Sequence, residues 1–205
     1  MHIAIAGNIG SGKTTLAGLL AKHLQFDVLY EDPSTNPYIY DFYQDMQRWS
    51  FNLQVSFLNA RVKQSLQVHQ RLHVVQDRTI YEDAEIFAPN LLSMGLLTQR
   101  DYETYRTLYE SVRQLIAPPD VVIYLRGSIA TLVDQIAQRN REYEDSIRID
   151  YLRKLNERYE DWYQSYELGR KLDFDVDDLK FHTQAEDLGV ILNAINAEIG
   201  GLFGR

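Results

Sequence analysis

With 205 residues, 45% hydrophobic and 24% charged, the chain has the size and balance of one globular domain with a substantial core, and too little length for two. A formal net charge of −8 argues against a surface built to neutralise nucleic-acid phosphates, so an anionic ligand must be small and held in a local cationic pocket. Cysteine is absent, which excludes disulfides, and no apolar run approaches the roughly 18 residues of a membrane span, so the expectation is a cytoplasmic protein without membrane or nucleic-acid partners.

The first strand is expected at 2–6, HIAIA, and is read as leaving no room ahead of it for a targeting segment. A helix follows at 14–24, a strand at 27–30, a long helix at 41–70 and a strand at 73–76. Helices at 101–116 and 129–139 flank a strand at 120–125 that is preceded by Pro118 and Pro119, and helix 151–166, strand 171–176 and helix 183–199 complete the chain. Alternating strands and helices imply an α/β fold of three layers, a mainly parallel five-stranded sheet with helices on both faces, because parallel neighbours need crossover connections.

Between the first strand and first helix stands GNIGSGKT, which satisfies G-x-x-x-x-G-K-[ST] in the context that motif requires. Gly7, Asn8, Ile9, Gly10, Ser11, Gly12, Lys13, Thr14 and Thr15 are the expected nucleotide-phosphate cradle: backbone N–H groups and the helix N-terminus face the phosphates, Lys13 reaches the β and γ groups, and Thr14 ligates Mg²⁺. Asp77 and Arg78 end the third strand over this loop, where open α/β sheets bind ligands; Asp77 suits Mg²⁺ and Arg78 a transferring phosphoryl group. Arg139 and Arg141 stand near a helix end in AQRNREYED, a candidate lid at 137–148 that closes over a triphosphate and excludes water. Taken alone, those arginines also read as a solvated helix end, and Asp77-Arg78 as a surface ion pair.

Glu31 and Asp32 follow the second strand on the P-loop side, where a carboxylate can take a proton from an acceptor hydroxyl; an ordinary Asp-Pro turn is the plainer alternative. Tyr43 and Gln54 lie eleven residues apart in the expected long helix, about three turns, which projects both from one face with Phe57, Leu58 and Arg61. Gln offers a donor and an acceptor to a base edge and Tyr a hydrogen bond to a sugar, although aromatics at this spacing also suit a core.

The ordered series HIAIAGNIGSGKTT, YEDPSTNP, FYQDMQRWSFNLQ, DRTIYEDAEIF, QRNREYED and YLRKLNERYEDWY resembles the deoxyribonucleoside kinase family, which includes deoxycytidine, deoxyguanosine and deoxyadenosine kinases. The resemblance implies an ATP- and Mg²⁺-dependent kinase acting on the 5′-hydroxyl of a deoxyribonucleoside, purines first, as a homodimer. It implies Glu31 as general base, Tyr43 and Glu144 on the sugar 3′-hydroxyl, Gln54, Arg61 and Asp83 at the base edge, Phe87 stacked on the base, Arg78 on the 5′ oxygen, and Arg139 and Arg141 as lid arginines. Many relatives have Glu-Arg-Ser where this chain has Asp77-Arg78-Thr79, and the shorter acid changes the reach to Mg²⁺. Segment 171–181 resembles the family's adenine-contacting loop without a fixed register. Two rival readings stand beside this one: a thymidylate kinase-like nucleoside monophosphate kinase, which needs no base such as Glu31, and a silent nucleotide-binding subunit, which would be expected to have lost its base or lid arginines.

Overall fold

The structure, a computed structural model, describes residues 1–144 and 146–203; Asp145 of the expected lid and the last two residues of the chain lie outside it. β1 (His2–Gly7) alternates Ile3 and Ile5 on one face with Ala4 and Ala6 on the other, and every one of these side chains is buried. Such burial on both faces is what a central parallel strand requires. It is joined by β2 (Asp27–Leu29), β3 (Val74–Asp77), β4 (Val121–Arg126) and β5 (Arg170–Asp175) in the order β2-β3-β1-β4-β5, all parallel. On the Ile3 and Ile5 side, α1 (Lys13–Leu24) and α9 (Ala185–Phe203) bury Leu16, Leu20, Leu188, Ile191 and Ile195. On the Ala4 and Ala6 side the small residues leave space for an aromatic core of Tyr105, Tyr109, Tyr124, Tyr159 and Trp162 under α6 (Gln99–Arg113) and α8 (Ile149–Ser165).

The expected helix at 41–70 is two helices. α2 (Ile39–Gln44) stops at Asp45, whose extended backbone starts α3 (Met46–Val68) and whose carboxylate accepts the Arg48 N–H at 3.0 Å. A second departure is a helical stretch between β3 and α6 that hydrophobic spacing did not reveal: α4 (Ile80–Glu82), a π turn (Asp83–Phe87) and α5 (Ala88–Ser93). Pro89 explains both the omission and the bulge. It has no N–H to offer and would crowd the preceding turn in an α-helix, and the wider turn, closed by Ala88 N–H to the Asp83 carbonyl, relieves that crowding. The Ala84 carbonyl, five residues before the proline, accepts Arg106 Nη1 instead at 3.3 Å. α7 (Ile129–Arg139) agrees with expectation residue for residue. Among the described residues no helix is long and apolar enough to cross a membrane.

Candidate active site

The loop between β1 and α1 is shaped by backbone that only glycine adopts readily. Gly10 and Gly12 have φ of 86° and 88°, and a Cβ at Gly10 would stand 2.6 Å from the Leu132 carbonyl of α7. Asn8 ties the loop to α8, donating from Nδ2 to the Leu152 carbonyl at 3.0 Å and to Asn156 Oδ1 at 3.2 Å, while its Oδ1 accepts the Ile9 N–H. Lys13 opens α1 and folds back to donate to the Asn8 carbonyl at 2.8 Å; its burial, aided by the nearby Arg78, holds its pKa well below the ordinary lysine value. Ser11 Oγ is buried without a partner. Thr15 is exposed and faces a second cleft, lined by Gln135 of α7 and by Lys180, Phe181 and His182 after β5.

Thr14 Oγ1 donates to Asp77 Oδ2 at 2.5 Å, and Asp77 Oδ1 is buried with no hydrogen-bond partner. A buried carboxylate oxygen left unpaired beside a threonine hydroxyl fits a hard cation. No group of three or more His, Cys, Asp or Glu side chains among the described residues is arranged to hold a metal.

Beside the loop opens a cleft lined among others by Ile9, Lys13, Thr14, Glu31, Tyr43, Gln54, Arg78, Asp83, Phe87, Arg139, Arg141 and Glu144. Glu31 stands two residues beyond β2. Its Oε1 accepts a short hydrogen bond from Arg61 Nη2, and its Oε2 accepts Arg78 Nε at 3.0 Å. Burial pushes this carboxyl up, but Arg78, Arg61 and Lys13 together outweigh it and bring the pKa down to about 2. Arg78 itself has φ of 65°, a conformation uncommon for a residue with a side chain, and its guanidinium lies over the Phe87 ring, Cζ 4.5 Å from the centroid.

Of the expected base-edge group, Gln54 and Asp83 reach the cleft and Arg61 does not. Arg61, on α3, is buried behind the wall, where its Nε donates to Asp83 Oδ2 at 3.1 Å and its Nη1 to Gln64 Oε1 at 3.0 Å, so with its bond to Glu31 one guanidinium braces both carboxylates. Burial raises the Asp83 pKa to about 6 against the pull of Arg61. Gln54 Oε1 is buried and has no partner. Tyr43 and Gln54 both line the cleft, but they come from α2 and α3 on either side of the Asp45 break, so a shared helix face is not the reason.

The expected lid begins where α7 ends. Asn140, at φ 51°, turns the chain into a short 3₁₀ turn (Glu142–Glu144), and Arg139 grips Glu144 through Nε at 3.1 Å and Nη2 at 2.6 Å, with Arg141 Nη1 3.6 Å from the same carboxylate. Tyr143, which sequence reasoning passed over, stacks on Tyr43 at 6.0 Å between ring centroids and joins α2 to the lid. Aromatic content in the lid was the available signal; its partner was not.

The chain as a whole has counterparts among known proteins. The family model described as deoxynucleoside kinase matches residues 3–199. A deoxyadenosine/deoxycytidine kinase of Bacillus subtilis is 36% identical over 202 residues, spanning 96% of this chain and 92% of that protein. A deoxyguanosine kinase of Lactobacillus johnsonii is 34% identical over 206 residues, with 96% and 92% covered. The solved structure of a deoxyadenosine kinase from M. mycoides with bound dATP superposes with a TM-score of 0.86 at 31% identity, covering 96% of this chain and all of that one. The chain belongs to the deoxynucleoside kinase family and is an ATP-dependent enzyme that phosphorylates deoxynucleosides.

Proposed function

We propose that the acceptor is a purine deoxyribonucleoside, deoxyadenosine or deoxyguanosine before deoxycytidine, and that the γ-phosphoryl of ATP passes to its 5′-hydroxyl. The observation that carries the reading is the polarity of the cleft. Beside Glu31 and Arg78, the lining carries Asp83 and the unpaired Gln54 Oε1, both acceptors. A base carrying an amino group meets such acceptors, and in this reading the 5′-hydroxyl faces Glu31. The dual deoxyadenosine/deoxycytidine kinase of Bacillus subtilis and the deoxyadenosine kinase of M. mycoides are in keeping with this choice.

In this reading Glu31 takes the 5′-hydroxyl proton as the oxygen attacks phosphorus, and Arg78 steadies the 5′ oxygen and the transferring group. Tyr43 and Glu144 hold the 3′-hydroxyl, Phe87 stacks on the base, and Arg61 acts from behind by orienting Glu31 and Asp83. Residues Gly7 to Thr15 receive the phosphates of ATP, with Lys13 leaving the Asn8 carbonyl for the β and γ groups. Thr14 and Asp77 would hold Mg²⁺, which would supply positive charge to offset the negative charge developing on the phosphates. Segment 137–148 is the lid, whose arginines exchange Glu144 for the triphosphate; 1–205 is one kinase domain. Lys180, Phe181 and His182 with Thr15 would meet the ATP base.

A cytoplasmic homodimer is the assembly proposed. The exposed apolar side chains Leu66 of α3 and Leu108 of α6 favour helix-to-helix pairing, and the net charge of −8 disfavours nucleic acid. The deciding experiment is a panel of ATP with the four deoxyribonucleosides and dTMP. Purine deoxyribonucleosides should give the highest kcat/KM; preference for thymidine or dTMP would overturn the assignment. Light scattering checks the dimer.

A further inference from the structure

Arg78 is fixed from two sides. Toward the cleft its Nε donates to Glu31, and away from the cleft its Nη1 donates to the Tyr159 hydroxyl at 2.9 Å. A guanidinium only donates, so the phenol must accept, and its single hydrogen has to go elsewhere. It goes to Glu82 Oε1 at 3.0 Å. The other oxygen of Glu82 accepts the Thr79 N–H at 2.7 Å, which pins the carboxylate to the cap of α4. Tyr159 is held in turn, parallel to Tyr124 at 5.9 Å and edge-on to Phe87 at 6.2 Å. Neither Tyr159 nor Glu82 lines the cleft, and both are fully buried.

We propose that Tyr159 and Glu82 are positioning residues that set the plane of the Arg78 guanidinium during phosphoryl transfer. This rests on the reading of Arg78 given above. Thr79 N–H, Glu82, Tyr159 and Arg78 form a chain of hydrogen bonds in which each direction is dictated by the next, so the hydroxyl always offers its lone pairs to Arg78. The need arises from the reaction itself. As Glu31 accepts the substrate proton its charge is lost, and its hold on Arg78 Nε weakens at the moment the transferring group needs the arginine most. Apart from a long contact of Nη2 with the Gly7 carbonyl at 3.5 Å and the Phe87 ring under the guanidinium, Tyr159 and Glu82 are the hold that remains. A helix cap alone does not explain a carboxylate buried this deeply, since an exposed acid caps as well and burial costs several kcal/mol. Burial raises the Glu82 pKa to about 7, in keeping with that cost.

The test is a double-mutant cycle of Tyr159→Phe and Arg78→Lys, with kcat, both KM values and thermal unfolding measured for each protein. Tyr159→Phe should lower kcat by about 10- to 100-fold, with nucleoside KM within about threefold. In the Arg78→Lys background the same change should cost about twofold or less, because its effect passes through the arginine. Losses that multiply, or wild-type kcat in Tyr159→Phe, would overturn the proposal. Wild-type kcat in Arg78→Lys would instead remove the role of Arg78 itself, so the two failures are distinguishable. Glu82→Gln provides the same cycle should Tyr159→Phe fail to fold.

Discussion

Two carboxylates in the cleft each sit between two arginines, and the arginines differ. Around Glu31, Arg61 and Arg78 are 2% and 5% exposed and spring from α3 and the end of β3. Around Glu144, Arg139 and Arg141 are 33% and 31% exposed and lie within five residues of the acid they hold. The first cluster joins distant parts of the chain and cannot open without leaving a charge buried. The second is local and its arginines are a third exposed, but Glu144 itself is buried, so they can leave it for another anion only where a ligand group or water takes their place on the carboxylate. One cluster is suited to holding a reacting group still, the other to closing on a ligand.

The sharpest way to break this contrast is Glu31→Gln. Turnover should fall by about 10² to 10⁴, the usual cost of losing a general base. The amide also turns an N–H₂ toward one of two buried guanidiniums, so some loss of stability, on the order of 3 kcal/mol, should accompany it. Titration with nucleoside under folded conditions separates the two effects. Near-normal turnover would move the base role to Asp32 or abolish it.

At the lid the effect should be smaller. Arg139→Ala and Arg141→Ala should each lower kcat by about 10²-fold, as for one donor to a developing charge, with little change in nucleoside affinity; Arg139→Ala, which strips a buried Glu144 of its main partner, should also lower the melting temperature more than Arg141→Ala does. An arginine whose removal weakens only ATP binding would belong to ground-state donor recognition. Salt offers a second comparison: raising ionic strength should speed hydrogen exchange at 139–144 before it touches Glu31, because screening acts on exposed pairs first.

Substrate choice tests the brace that Arg61 forms between Glu31 and Asp83. Arg61→Met with Asp83→Ala removes charge from the proposed base contact and should raise thymidine use relative to deoxyadenosine by about 10-fold or more, since thymine lacks the amino donor and adds a methyl. Arg61 also holds Glu31, so the double mutant should lose absolute turnover with every substrate; Asp83→Ala alone should shift the preference with less loss. An unchanged substrate order in kcat/KM would remove the pair from base recognition.

What the sequence made legible follows the same division between local and distant. The P-loop and the strand ends are short stretches whose spacing carries their place in the fold, and the five strands fall within a residue or so of expectation. The helices at 80–93 were hidden because Pro89 signals a break, and only the π turn shows how the chain accommodates it. Asp45 was read as one more polar residue inside a helix, because capping becomes visible only when the backbone turns. Arg61 was expected at the cleft wall; its position behind Glu31 and Asp83 joins residues 30 and 22 apart, a relation that no periodicity encodes.

The last comparison lies within the buried cluster and reads stability, not turnover. Glu31 and Asp83 are bonded to the same guanidinium, yet their pKa values move in opposite directions. Burial raises both, but Glu31 has Arg78, Arg61 and Lys13 against it and falls from 4.5 to about 2, whereas Asp83 has mainly Arg61 and rises from 3.8 to about 6. A depressed carboxyl binds fewer protons folded than unfolded, so the contribution of Glu31 is present above about pH 4.5 and is lost as pH falls toward 2. A raised carboxyl does the reverse: the contribution of Asp83 is present below about pH 3.8 and is lost as pH rises through 6. Urea unfolding across pH 2.5 to 7, a range set by these two shifts, should therefore show Glu31→Gln flattening the acid limb and Asp83→Asn flattening the decline between about 4 and 6. Equal slopes for wild type and Glu31→Gln below pH 4.5 would mean that the two arginines do not hold Glu31 in solution as the geometry places them.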